Sequence, residues 1–359
     1  MNKMLKIVFI IVFLGLCTLP LAGWIFGYEN QSAEKRALAE LPKVVDENGL
    51  NTEVTQQFDD YYTDNFAFRS DLITAHAHLY GAVLRESVQD QVILGSGGWL
   101  YFEPTLNDYM RRDVLADEDI GRIAAALKET QTMLEARGIS FVFTVAPNKA
   151  SIYPEYMPER YLVQDGQSNA QKLHAALDAQ GVKHVDLHAA LDEHSKMLLY
   201  HKLDTHWNGT GATIAYHALM ENIAYDNAGF AYQTYNIGDF TVEKTWGGDL
   251  SGMLYPSAAM KDEQHVYDVA EEFKTARPLR SLEAMRIDAT CDTGSLNAVM
   301  YRDSFANALI PILSNEFASV TYTRATPYDF SLVTDDTDVV IIEIVERNIP
   351  ELLAALTGP

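Results

Sequence analysis

Two short islands hold residues whose types could do chemistry. His201-Lys202-Leu203-Asp204-Thr205-His206-Trp207-Asn208-Gly209 carries an acid and a base, and Tyr301-Arg302-Asp303-Ser304-Phe305 carries a nucleophile. A serine hydroxyl attacks poorly until an imidazole takes its proton, and the imidazole needs a carboxylate to fix its tautomer and stabilise its charged form. Asp204, His206 and Ser304 therefore make the set required for acyl transfer or hydrolysis. Asp204 and His206 are two positions apart, so in an extended segment both side chains leave the same face and are expected to converge. An Asp-x-His pair and one serine are a weak signal by type alone. The elements around them add to it.

Asn297 to Tyr301 reads as a short apolar strand that runs directly into Arg302-Asp303-Ser304 and then into apolar Phe305-Ala306, which sets Ser304 at a strand-to-helix turn. In open α/β sheets the carboxyl ends of strands are where ligands and nucleophiles collect. Asn208-Gly209-Thr210 reads as a helix start ahead of an apolar stripe at Ala212, Ala215, Tyr216 and Leu219. The same alternation recurs along the chain. Helices are expected over Glu118–Ala136, Ala170–Gln180 and Gly211–Asn222, and strands over Ile139–Val145, Val182–Leu187, Ala298–Tyr301, Ala318–Tyr322 and Val339–Val345. Helices alternating with near-continuous apolar strands predict an α/β fold with a parallel sheet flanked by helices on both faces. The polar stretch from Ala224 to Arg286, containing Trp246-Gly247-Gly248-Asp249-Leu250, breaks the pattern and reads as an insertion at the edge of the site.

Four ordered motifs resemble a known family. They are Gly98-Trp99-Leu100-Tyr101-Phe102, Pro147-Asn148-Lys149-Ala150-Ser151-Ile152-Tyr153-Pro154, Asp204-Thr205-His206-Trp207 followed by Asn208-Gly209-Thr210-Gly211-Ala212, and Arg302-Asp303-Ser304-Phe305. Together they resemble the alginate O-acetyltransferase family, whose catalytic domains are SGNH-hydrolase-like, from about Leu41 to the C-terminus. The resemblance implies Ser304 as nucleophile, His206 as base and Asp204 as orienting acid, with the Asp/His pair ahead of the serine. It also implies a polysaccharide acceptor and, because acetyl-coenzyme A is cytoplasmic, a membrane-bound O-acyltransferase partner that supplies the acetyl group. The sequence ends at Pro359, so no appended carbohydrate-binding module is expected.

Other residues near these motifs have two readings each. The Asn148 amide either donates to an oxyanion or caps a helix. Lys149 either contacts an acceptor glycan or pairs with a carboxylate. Tyr301 and Arg302 flank the nucleophile as substrate or oxyanion candidates, Asp303 positions it without replacing Asp204, and Glu343 with Arg347 is expected to form an ion pair that supports the site.

The N-terminus points to a membrane. Lys3 and Lys6 precede Ile7 to Tyr28, a run without a charged residue, long enough at about 1.5 Å per residue to cross a hydrocarbon core of about 30 Å. Residues 1–28 are read as an uncleaved signal anchor, because the run is too long for a signal peptide and Leu19-Pro20-Leu21-Ala22-Gly23-Trp24 offers a poor cleavage site. The lysines place the amino terminus in the cytoplasm and the remainder in the periplasm, tethered to the inner membrane. Residues 29–51, polar and with Pro42 among them, read as a linker, and residues 52–359 as the catalytic domain with its insertion at 224–286.

Composition narrows the rest. Cys17 lies in the anchor, so Cys291 stands alone outside it and no internal disulfide is available. No zinc spacing, phosphate loop or dinucleotide fingerprint appears, so neither metal nor cofactor is expected. A net charge of −23 argues against nucleic acid. It also repels a polyanionic glycan unless basic residues such as Arg111, Arg112, Lys149 and Arg302 gather at the cleft.

Overall fold

The computed structural model describes residues 3–28, 38–46 and 49–357. These divide into two compact units, one comprising Met1–Leu94 with Gly247–Lys261 and the other Gly95–Trp246 with Asp262–Pro359.

In the first unit, Lys3–Ile25 is one apolar helix. Gly23 on this helix touches Ala67 and Phe68 so closely that an added Cβ would lie 2.5 Å from the Ala67 Cβ. The Tyr28 ring packs against Phe68, tilted by 30° with ring centroids 3.9 Å apart, and its hydroxyl donates to Asp71. Two further helices, Val54–Asn65 and Arg69–Leu84, are separated at Phe68, whose φ of 65° lies outside the right-handed helical region. Much of the linker read over 29–51 lies outside the described residues; the part that is described includes a short antiparallel pairing of Val45–Asp46 with Gly49–Leu50.

The second unit is built on a seven-stranded sheet. Its strands are β1 (Ser140–Ala146), β2 (His184–Val185), β3 (Lys274–Thr275), β4 (Arg286–Thr290), β5 (Asn297–Tyr301), β6 (Ser319–Thr323) and β7 (Val339–Val345), in the order β2-β1-β7-β5-β6-β4-β3. The strands from β2 to β6 in that order run parallel. All seven residues of β7 are buried, which is why it reads as an apolar run interrupted only by Glu343. Phe141, Phe143 and Val145, with Val340, Ile342, Ile344, Val299 and Tyr301, face a core closed by the Asp117–Glu135 and Asn169–Gln180 helices.

The sheet departs from the expected all-parallel form at one edge. Strand β4 is antiparallel to β6, and β3 is antiparallel to β4. Both lie in or at the end of the stretch read as an insertion, which also contributes the Thr241–Gly247 and Lys261–Val266 strands, paired as a separate ribbon. The strand expected over Val182–Leu187 is only His184–Val185, because Asp186 caps a helix that starts at Leu187 by accepting from the Ala189 amide.

Candidate active site

Ser304 follows the carboxyl end of β5, in the middle of the sheet, and immediately precedes a 3-10 turn over Phe305–Ala308. Asp303 fixes this turn. Its Oδ1 accepts from the Phe305 amide at 2.9 Å and its Oδ2 from the Val345 amide at 2.5 Å, while its own amide donates to Glu343 at 3.1 Å. Glu343 is fully buried, and burial, with Asp303 beside it, holds its carboxyl well above the usual carboxylate range.

Asp204 and His206 lie in a loop closed by a bridge between Tyr200 and Trp207. The two side chains converge because this loop bends, not because the segment is extended. Asp204 Oδ1 accepts from the His206 amide at 3.0 Å and lies 2.7 Å from His206 Nδ1. The other ring nitrogen, Nε2, lies 2.9 Å from Ser304 Oγ. A carboxylate on Nδ1 leaves Nε2 as the acceptor for the serine proton, which is the arrangement an activated serine needs. Directly after the loop, Asn208 caps the Gly209–Asp226 helix, its Oδ1 accepting from Thr210 and Gly211.

The other sequence candidates do different work from that expected. Lys149 is buried, and its Nζ donates to the carbonyls of His201, Lys202 and Asp204 at 3.0, 3.1 and 2.6 Å. It also lies over the rings of Trp99 and Tyr101, so the second motif and the first together brace the Asp204–His206 loop from below. Asn148 does not cap its helix with its side chain; Nδ2 donates to Asp108 and the backbone amide to Glu346. The side-chain amide read as an oxyanion donor is thus directed at the half-buried Asp108 carboxylate. Tyr301, read as a substrate contact, is wholly buried and donates to the Asp329 carbonyl, because the last residue of β5 points into the core beneath the sheet.

Arg302 is also buried and donates to the carbonyls of Leu282, Ala284 and Asp303 and to Asn307, bracing the turn that carries Ser304; burial lowers its pKa to about 10. The expected Glu343–Arg347 pair takes another form. Glu343 faces Asp303 and Arg302, and the Arg347 guanidinium lies over Phe102 and Phe305.

One site residue was not assigned a role from sequence. Trp246 donates its indole N–H to Asp204 Oδ2 at 3.0 Å and stacks flat on His201, ring centroids 4.6 Å apart. Burial lowers the His201 pKa to about 4, so this ring stays neutral at ordinary pH. Trp246 lies in the insertion, 42 positions from Asp204, and no local pattern connects the two.

A family model described as an SGNH hydrolase-like domain, acetyltransferase AlgX, matches residues 92–302, more than half of the chain. The chain belongs to this SGNH hydrolase-like acetyltransferase family. The match takes in Asp204 and His206 and stops short of Ser304, whose place rests on the geometry above. A probable alginate O-acetylase AlgJ of Pseudomonas fluorescens is 26% identical over 235 residues, covering 62% of this chain and 54% of its own length. Its counterpart in Pseudomonas syringae is 24% identical over 225 residues with the same coverage. The chain thus spans about half the length of the relatives it matches. Among solved structures, Bacillus cereus PatB1 superposes with a TM-score of 0.55 at 16% identity, covering 72% of this chain and 96% of that one. A DHHW family protein from Eubacterium siraeum gives 0.53 at 16%, covering 74% and 98%. These likenesses establish the fold, an α/β sheet flanked by helices, for most of the chain.

Proposed function

We propose that the protein is an O-acetyltransferase that moves acetyl groups onto a polysaccharide through an acetyl-Ser304 intermediate. The observation that carries this reading is the line of contacts from Asp204 through His206 to Ser304, at 2.7 and 2.9 Å. Membership of the acetyltransferase family and the name of the Pseudomonas relatives, alginate O-acetylases, support the choice of reaction and of a polysaccharide acceptor.

In the first half-reaction His206 Nε2 takes the Ser304 proton as Oγ attacks the acetyl carbonyl. The donor's oxygen leaves with that proton, and Asp204 stabilises the imidazolium between the two transfers. In the second half-reaction a sugar hydroxyl gives its proton to His206 and attacks the acetyl-serine. Ser304 then leaves and recovers the proton. One base therefore serves both halves. The donor in this reading is a membrane-bound O-acyltransferase partner, and the catalytic domain, residues 52–359, faces the periplasm from an N-terminal anchor in the inner membrane.

Incubating the full-length protein with an acetyl donor ester, with and without oligosaccharides, and mapping acetate by peptide mass tests the proposal. Acetate is expected on the peptide carrying Ser304, and its lifetime should shorten when a suitable glycan is present. Alanine at Asp204, His206 or Ser304 should each abolish transfer, with double substitutions adding little because the three act as a unit. Rapid hydrolysis that no glycan alters would make the protein an acetyl esterase. Unchanged activity in Ser304→Ala would remove the covalent mechanism.

A further inference from the structure

Residues 276–286 form a loop that returns along the outer strand of the sheet and ends at the start of β4. Loop and strand enclose a cavity of about 710 Å³ lined by Arg277, Arg280 and Arg286 over Pro278, Leu279 and Ile287. In a chain with 50 acidic and 27 basic residues, the ten positions 277–286 hold three arginines and one acid. Arg286 pairs with Asp288, and Arg324 pairs with Glu283. Arg277 and Arg280 form no ion pair among the described residues and are exposed, and with Arg286 they outnumber Asp288, the one acid in the cavity lining, whose pKa Arg286 and Arg277 help to lower.

Register places this loop at the catalytic edge of the sheet. Arg286 is opposite Thr323, and Thr323 is opposite Tyr301, the last strand residue before the nucleophile turn. Two strand spacings, about 10 Å, separate them. The loop is also bonded to that turn on either side of Ser304. Arg302 donates to the carbonyls of Leu282 and Ala284 at 2.7 and 3.1 Å, and Asn307 donates to Glu283 at 2.7 Å. A group held by the loop is therefore held at a fixed offset from Ser304.

We infer that the 276–286 loop is a subsite for an anionic group on the acceptor glycan, with Arg277 and Arg280 as the residues that recognise it. The inference rests on the transferase reading for the use of the subsite, though not for its existence. The overall charge of −23 repels an acidic chain, so such a chain is retained only where the local field is reversed. The planar guanidinium fork matches a carboxylate or sulfate with two parallel hydrogen bonds. Three of the basic residues expected at the cleft, Arg111, Lys149 and Arg302, do not supply this. Lys149 and Arg302 are buried in structural bonds, and Arg111 donates to the Gln164 carbonyl.

The test uses the full-length protein and the double variant Arg277→Ala/Arg280→Ala. Three probes are titrated calorimetrically: a uronic-acid oligosaccharide, its carboxyl-reduced neutral counterpart, and a sulfated neutral oligosaccharide. The wild type should prefer an acidic probe, with affinity that falls as salt rises, and the double variant should lose about tenfold in that affinity. Binding of the neutral probe should not change. Preference between carboxylate and sulfate identifies the anionic group. No binding, equal binding of acidic and reduced probes, or an unaltered affinity in the variant would overturn the inference. Turnover of a small acetyl ester, measured alongside, should be the same in both proteins. If the wild type fails to turn it over, the acyl-transfer reading falls while the titration still decides the subsite.

Discussion

Asp204 uses both carboxylate oxygens: Oδ1 holds the His206 ring and amide, and Oδ2 receives the Trp246 indole. A carboxylate pinned on two sides cannot rotate, so it keeps His206 in the tautomer that leaves Nε2 open to Ser304. Trp246→Phe keeps a ring to stack on His201 and removes only the donor. We expect kcat to fall about tenfold with KM little altered, in line with losses of outer-shell partners at other sites. The acid limb of the pH–rate profile should move up, because an Asp204 oxygen relieved of the indole proton stabilises the imidazolium more strongly. An unchanged profile with a lowered melting temperature would reduce Trp246 to a packing residue.

A second residue-scale expectation concerns Asp108. Burial, with Glu346 close by, raises its pKa to about 7. The unfolded chain gives up this proton near pH 4, so between the two values the folded form binds more protons. Stability attributable to Asp108 is therefore full below about pH 4 and is lost as the pH rises through about 7. Asp108→Asn, neutral throughout, should gain melting temperature relative to the wild type at pH 8 compared with pH 5. A difference independent of pH would show that the carboxyl does not titrate in this window.

At the scale of elements, legibility followed burial. Strands β1 and β7 and the Asp117–Glu135 helix were readable because each is buried along a regular pattern that the sequence repeats. Strand β4 was missed because Arg286-Ile-Asp-Ala-Thr alternates buried and exposed within a polar stretch, and its antiparallel pairing is set by contacts with β6 far along the chain. The acid, base and nucleophile were legible as types in short motifs, and the geometry brings them together. Trp246, Lys149 and Tyr301 were not legible in role, because a role at the site depends on which way a side chain points, and that is fixed by distant packing. Close approach of elements is likewise invisible locally. An added Cβ at Gly209 would lie 1.9 Å from the His265 carbonyl oxygen, so the helix carrying Asn208 as its cap and the Lys261–Val266 strand meet there without room for a side chain. Gly209→Ala should cost about 2 kcal/mol or more by denaturant unfolding. Gly121→Ala, in a helix interior with nothing within 4 Å, should instead stabilise by about 1 kcal/mol. Equal effects at both positions would contradict the close approach.

At the scale of the whole molecule, the chain combines a hydrocarbon-like N-terminus with a strongly acidic remainder. The Lys3–Ile25 helix is 23 residues long, and its most apolar 18-residue stretch has a mean hydropathy of 2.5; at 1.5 Å per residue the helix is about 34 Å long, sufficient for a core of about 30 Å. Its outward apolar residues, such as Phe9, Ile11 and Phe13, are exposed, and in water that surface would be costly. A bilayer removes the cost. With Lys3 and Lys6 at its amino end and no basic residue in its last turn, the helix is expected to hold its N-terminus in the cytoplasm and deliver the rest to the opposite side. The protein should therefore remain in the membrane fraction through high salt and alkaline carbonate, and protease added to spheroplasts should digest everything beyond the anchor. Intact mass should begin at the N-terminus of the sequence. A mature form starting near Gly23, released by carbonate, would show that the helix is a cleaved leader and that any contact with an acetyl-donating membrane protein is made without a tether.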